Sequence, residues 1–429
     1  MINLLQTIFN KFSLDDIDSL KDIINSQIYQ EFIRLYPNLE SILSLGYKNN
    51  NLEFNRTVKH IFRSIKVFLL IYTQKFQYTG FSFSSIHQLL VKIKKIDEFN
   101  EDLIPLILVY HDIGKLIRKR DHPQQSFNLI SEKKLLEPFK LDKDVKLLIE
   151  KVIQYHVLFA TIYTGESTYY GTYSLINDEI FVNLILNSNN LDIFVDSLEV
   201  FTYIDILGYS YSQIFDHYLL YYGKINDNLK SILSRLPNTE VALNVAEDLS
   251  NSLIEWRIAG ALRIFQFITT KPYLTEEFYF DKLKSSIVSL PTDLGRFNWN
   301  DLINETLKDS YKIQIKYGLP FLIILAFGSF HRATLDKCAE ISPNLLYFWI
   351  ELTKEITKRS TDHPKNQWNV YVLGIVNWFS ITANNFKTID SSFIQDIIKN
   401  SKSTFDKSTS EYTFNLDLSK LEKKEQNNI

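Results

Sequence analysis

Cysteine is almost absent. The 429-residue chain holds one, Cys338, which excludes a disulfide within the chain and any cysteine-rich metal site. A reducing, cytoplasmic setting is the expectation. Glycine and proline are scarce, at 12 and 10, so backbone breakers are few. An excess of one charge is missing too: 47 Lys plus Arg against 50 Asp plus Glu leave −3. That excludes the basic footprint of a dedicated nucleic-acid binder, and no strong nucleic-acid binding is expected. No apolar run reaches the ~20 residues that span a bilayer. The strongest, Tyr317 to Phe330, contains Pro320 and reads as a buried core helix. Met1 to Leu14 lacks the basic region and the small-residue cleavage site of a secretory signal, so no membrane association is expected. Internal repeats, a glycine-rich phosphate loop and heptad runs are also missing.

What is present is an ordinary globular balance, 45% hydrophobic and 23% charged, able to bury a large core. At ~100–200 residues per domain, the length implies two or three domains. Apolar residues recur at helical spacing, as in Ile17, Leu20, Ile23, Ile24 and Ile28, and in Leu147, Leu148, Val152 and Tyr155. Strict alternation is rare, and the expected fold is all-α. Ser13 with Asp16 resembles a capping box, and Asp142 is placed to cap a helix that carries Lys146 to His156. Ile162 to Ile180, with Gly165 and Gly171, reads as a long loop or a short hairpin.

The expected organisation has four parts. Residues 1–50 form a helical N-terminal segment and residues 51–225 a central domain. A joint falls at Gly223 to Asn228. Residues 230–400 form a C-terminal helical domain, and 401–429 a flexible tail. The C-terminal domain carries all five tryptophans, Trp256, Trp299, Trp349, Trp368 and Trp378. A lid, a partner platform and the contact surface of a homo-oligomer are its alternative roles.

Four of the eight histidines fall with two aspartates in one ordered series: His60, His111, Asp112, His122, His156 and Asp205. Imidazole nitrogens and carboxylate oxygens suit Mn, Fe, Co, Ni, Zn or Mg, and a carboxylate can bridge two ions. An adjacent His-Asp pair points its side chains apart along a helix, but at the last turn both can reach one ion. His111 and Asp112 follow the apolar run Leu103 to Val109, where a buried charge is costly unless it is paired or metal-bound. Taken singly, each residue also fits a plain structural role. A lone histidine packs in a core, Asp205 caps a helix or pairs with a cation, and His122 caps the turn before Pro123.

The joint pattern resembles the HD-domain superfamily of metal-dependent phosphohydrolases. His111-Asp112-Ile113-Gly114-Lys115 is similar to that family's central motif. His60 matches its first histidine and Asp205 its last aspartate, and His122 and His156 match the extra histidines of branches that bind two metals. The resemblance covers about residues 55 to 220. It implies a helical bundle around one or two divalent ions and hydrolysis of a small anionic phosphorylated substrate, nucleotide-like substrates included. It further implies that His60, His111 and Asp205 hold one ion, and that His122 and His156 hold the second. Asp112 would bridge or ligate, and Lys115 would stabilise phosphate charge. Arg118, Lys119 and Arg120 would extend a positive rim or form a solvated helix end, and Glu166 or Ser167, after His156, would contact substrate or lie in an ordinary surface loop.

The gap of 51 residues from His60 to His111 is longer than the commonest family spacing and implies an insertion near Tyr78 to Asn100. His87 lies there and is an alternative first ligand. The Gly-Tyr-Pro signature of one branch is missing, so cyclic-di-GMP phosphodiesterase activity is not implied. Two other functions fit the same residues. Some HD-fold proteins with this six-ligand series are mixed-valent di-iron oxygenases. A non-catalytic ligand sensor or interaction module is the third reading.

Overall fold

A computed structural model describes residues 1–78, 81–118, 122–163, 174–186, 190–210, 216–242, 244, 315–316, 351–352, 355, 358–359, 367–373, 391–406 and 411–417. The fold is mostly helical, as expected. The chain divides into two compact units: Met1–Ala160 with Leu175–Ala242, and Thr161–Ser174 with Leu243–Ile429.

The first unit is helical throughout its described residues. In chain order its helices are α1 (Ile2–Phe9), α2 (Leu14–Ser19), α3 (Gln27–Leu35), α4 (Glu40–Asn49), α5 (Asn51–Tyr72), α6 (Phe83–Phe99) and α7 (Leu103–Tyr110). Then come α8 (His122–Glu132), α9 (Lys143–Gln154), α10 (Leu158–Tyr163, whose end belongs to the second unit), α11 (Glu179–Ile185), α12 (Asn190–Leu207) and α13 (His217–Leu233). Short polar side chains start them by satisfying amide donors that have no partner inside the helix. Ser13 and Asp16 form the expected capping box on α2. Ser26, Asn50 and Ser82 cap α3, α5 and α6. Asp142 occupies the cap position of α9 but makes no side-chain cap bond.

Every residue of α7 is buried, and α12 is buried on nearly all sides. A helix apolar all round must sit inside a bundle. Pro105 is tolerated because it lies in the first turn of α7, where its missing N–H removes no helical bond. Helix α5 packs against both α7 and α12.

Residues 1–50 belong to this unit rather than standing apart. The buried Lys66 ammonium donates to the Phe9 carbonyl at 2.9 Å, at the end of α1. Lys59 Nζ donates to the carbonyls of Asp18 and Leu20 at 2.8 and 3.0 Å, at the end of α2. Both lysines lie on α5, and their charge complements the negative ends of those helices. The expected joint at Gly223 to Asn228 lies inside α13. The insertion near Tyr78 to Asn100 is largely α6, bound to the core by a charged network. Lys92 pairs with Glu199 at 2.5 Å and Lys95 with Asp196 at 2.7 Å, while Lys230 from α13 reaches Asp196 at 2.6 Å. Asn226 donates to both acids. Lys92 and Lys95 are thus both paired with acids of the core, and Lys94 lies over the Tyr72 ring.

The described residues of the second unit include strands as well as helix. Its described residues include a four-stranded sheet of order β1-β2-β4-β3, with β1 (Ile315–Lys316), β2 (Gln367–Leu373), β3 (Lys402–Asp406) and β4 (Glu411–Asp417). β2 runs parallel to β4, pairing Trp368 with Tyr412 and Val370 with Phe414. β3 and β4 are antiparallel. The cause is local composition: β2 is rich in aromatic and β-branched residues, and β4 alternates Tyr412, Phe414 and Leu416 with polar residues. Phe414 is buried. Thus 402–406 and 411–417 are paired strands where a flexible tail was expected. Helix α14 (Ser391–Asn400) precedes them. Arg359 donates to the Lys399 and Ser401 carbonyls at its end and lies over Phe414. Cys338, the run Tyr317 to Phe330 and every tryptophan but Trp368 lie outside the described residues. No helix among the described residues is long and apolar enough to cross a membrane.

Candidate metal centre

The site forms where several elements of the first unit end together. His60 projects from the middle of α5. His111 is the C-cap of α7, and Asp112 opens the tight turn Ile113–Leu116 that follows. The helix stops at this pair, so both side chains reach the same region. His122 begins α8, and His156 lies in the turn after α9 rather than within that helix. Asp205 is in the last turn of α12. The C-terminal ends of α7, α9 and α12, which carry partial negative charge, converge here and favour a cation.

The six residues separate into two groups, each able to hold a metal ion: His60, His111 and Asp205, and Asp112, His122 and His156. In each group the ligand atoms lie within 4.8 Å of one another. His60 Nε2 is 2.7 Å from Asp205 Oδ1, and His111 Nε2 is 3.3 Å from the same oxygen. His122 Nε2 and His156 Nε2 are 3.1 Å apart. Asp112 faces both groups. Its Oδ2 is 3.4 Å from His111 Nε2 and 3.7 Å from His60 Nε2, and its Oδ1 is 3.3 Å from His122 Nε2 and 3.9 Å from His156 Nε2.

Backbone carbonyls orient two of the rings. His111 Nδ1 lies 3.0 Å from the Leu108 carbonyl and His156 Nδ1 2.7 Å from that of Ile153. Donation from Nδ1 leaves each Nε2 lone pair facing the site, the arrangement that metal-ligating histidines use. Ser126, one turn into α8, fixes the motif itself. Its hydroxyl donates to the His111 carbonyl at 2.6 Å and accepts the Gly114 amide at 2.9 Å. Gly114 permits this approach, since a Cβ there would lie 2.3 Å from the His122 carbonyl oxygen.

The charges are set by burial and by one another. Burial favours neutral His156, and His122 and His111 beside it add to the effect, pushing it down to about 3. Burial works the same way on His111, but Asp112 and Asp205 outweigh it and hold that ring up at about 9, so a cation binding at its Nε2 displaces a proton. Burial opposes ionisation of Asp112 and Asp205; Lys115 and His111 hold Asp112 well below the usual carboxylate range, and His60 and His111 do so for Asp205. Burial also opposes the Lys115 ammonium, yet Asp112, 2.5 Å away, keeps it charged.

The donor set fits a divalent cation. His111 Nε2 and Asp112 Oδ1 are buried with no hydrogen-bond partner, a condition that costs about 1–3 kcal/mol per group unless a ligand satisfies it. All the candidate donors are nitrogen or oxygen, which suits Mn, Fe, Co, Ni, Zn or Mg.

Of the expected site residues, His60, His111, Asp112, Lys115, His122, His156 and Asp205 come together. His87 does not: it is exposed on α6, stacked on Phe83, which leaves His60 as the first histidine. The Arg118 amide bonds the Gly114 carbonyl at the end of the motif turn. Lys119, Arg120 and Glu166 lie outside the described residues. One residue of the site was not anticipated. Tyr209 stacks on His60 with ring centres 3.9 Å apart, and its hydroxyl accepts from Lys115 Nζ at 3.2 Å. Its only sequence signal is an aromatic residue directly after Gly208, four positions past Asp205.

Comparison of the chain with protein-family models, with curated proteins and with solved structures finds no match. The site is therefore read from its own geometry.

Proposed function

We propose that the helical unit is a metal-dependent phosphohydrolase of the HD type, acting on a small anionic phosphoester. The observation that carries this reading is the division of the Asp112 carboxylate between two buried ligand groups, with Lys115 beside it. One ion would be held by His60, His111 and Asp205, a second by His122 and His156, with Asp112 shared. When bound, such ions polarise a phosphoryl oxygen and lower the pKa of a water.

Further roles fall to the chain's own groups. Lys115 holds a fixed positive charge at the carboxylate, where it attracts a phosphoryl oxygen and offsets negative charge developing on it. Asp112, kept ionised, accepts a hydrogen bond from the attacking water and orients it. The Nδ1 bonds of His111 and His156 keep their Nε2 atoms from turning away. Lys115 also favours hydrolysis over oxygen chemistry, because a half-buried ammonium beside the ligands suits an anionic substrate.

The test is phosphate release from nucleotides, cyclic nucleotides and simple phosphoesters, with manganese, iron, cobalt or magnesium and with oxygen excluded. Anaerobic, manganese-dependent release is the expected result. Oxygen-dependent turnover without phosphate release would contradict the proposal in favour of a di-iron oxygenase. Protein that binds no metal, with a melting temperature unmoved by manganese or iron, would instead point to a non-catalytic module.

A further inference from the structure

We propose that Tyr209 is a positioning residue of this centre: its ring holds the His60 imidazole and its hydroxyl holds the Lys115 ammonium. The inference rests on the metal-site reading above, and it concerns a residue outside the ligand series.

The first observation is a difference among the histidines. His111 and His156 are each fixed by a backbone carbonyl at Nδ1. His60 Nδ1 is buried with no hydrogen-bond partner. Besides Asp205 Oδ1, 2.7 Å from Nε2, the contact that holds that ring is the stacked face of Tyr209, inclined by 18° at 3.9 Å. The second observation is how the chain brings Tyr209 there. The Gly208 carbonyl accepts from Arg63 Nε at 3.0 Å, and Arg63 stands one turn after His60 on α5. A Cβ on Gly208 would lie 2.1 Å from Ser64 Oγ and 3.0 Å from His60 Cε1. The backbone after Asp205 is thus pressed onto α5 at a point where a Cβ would clash with Ser64, and the next side chain covers His60. The third observation is the hydroxyl. Lys115 Nζ divides its donors between Asp112 Oδ2 at 2.5 Å and Tyr209 Oη at 3.2 Å. Tyr209 therefore links the ligand from α5 to the cation of the motif turn.

Ring and hydroxyl are separable. Tyr209→Phe keeps the ring, and Tyr209→Leu keeps apolar bulk without a flat face. Cobalt binding to the full-length protein, followed by its visible absorption, reads the ring without any substrate. Tyr209→Phe should bind cobalt within about twofold of wild type with an unchanged spectrum, whereas Tyr209→Leu should bind about tenfold more weakly with a shifted band. Wild-type cobalt affinity in Tyr209→Leu, or equal losses in the two variants, would overturn the role of the ring. For the hydroxyl, Tyr209→Phe should raise KM for a phosphoester about tenfold and raise it more than it lowers kcat. An unchanged KM would overturn the role of the hydroxyl. Should Tyr209→Leu fail to fold, the Phe variant still decides, since a cobalt affinity tenfold below wild type contradicts stacking as the hold on His60. Failure of the hydrolase reading is distinguishable: wild type would then release no phosphate, while the cobalt comparison would keep its outcome.

Discussion

His122 Nε2 lies 3.3 Å from Asp112 Oδ1, the carboxylate oxygen opposite the one that Lys115 holds. A single side chain thereby joins two ligand groups that come from different helices. The groups can then be emptied separately. His122→Ala and His156→Ala each remove a ligand from the Asp112 group and leave His60, His111 and Asp205 in place. Metal content measured after manganese loading should fall from two ions per chain towards one. Unchanged stoichiometry would rule out the second group as a metal site.

Ser126 should matter more than a lone serine suggests. It is fully buried and its hydroxyl bridges the His111 carbonyl and the Gly114 amide. Ser126→Ala leaves both groups without that partner, at a cost of about 1–3 kcal/mol. The turn that aims His111 and Asp112 loosens with it, so metal affinity should drop about tenfold. Thermal unfolding and manganese titration check the two effects. Wild-type values in both would show that the bridge is dispensable.

Gly208 allows a cleaner test of packing. A methyl group there meets Ser64 Oγ, itself buried without a hydrogen-bond partner. Gly208→Ala should cost about 1–3 kcal/mol through overpacking. Adding Ser64→Ala should restore part of it by removing the opposing oxygen. Denaturant unfolding of the single and double variants gives the coupling, and strict additivity would contradict the close approach.

The residues of the candidate metal groups were legible in the sequence because their chemistry is narrow. Few side chains can hold a cation, and a histidine-aspartate pair at the end of the apolar stretch Leu103 to Val109 has few other uses. The division of those ligands into two groups was legible only through the family resemblance. Tyr209 was not legible, because its position depends on how Gly208 meets α5, a contact between residues far apart in sequence. The strands were half legible. Glu411 to Asp417 alternates strictly over its whole length, yet it lies in a polar stretch that reads as a tail. Its pairing with Gln367 to Leu373 is non-local and leaves no mark in either segment alone.

The network around Asp196 predicts how stability responds to acid. Burial raises this carboxyl, but hydrogen bonds from Lys230, Lys95 and Asn226 outweigh it and hold it below its ordinary value near 3.8. A carboxylate lowered on folding stabilises the folded state above its unfolded pKa, and that contribution disappears as pH falls through the folded pKa. Wild type should therefore lose stability progressively below about pH 4. Asp196→Asn should be less stable at neutral pH by about 1–3 kcal/mol and should show a smaller acid-dependent loss. Parallel pH profiles for the two proteins would contradict this.

The most direct test of the account is manganese-dependent phosphate release by Asp112→Ala beside wild type, with folding checked by circular dichroism. Asp112 belongs to one ligand group, lies 3.4 Å from His111 Nε2 of the other, and pairs with Lys115. The expected result is release by wild type and none by a variant with the same helical signal. Full activity in Asp112→Ala would contradict the assignment of the metal centre.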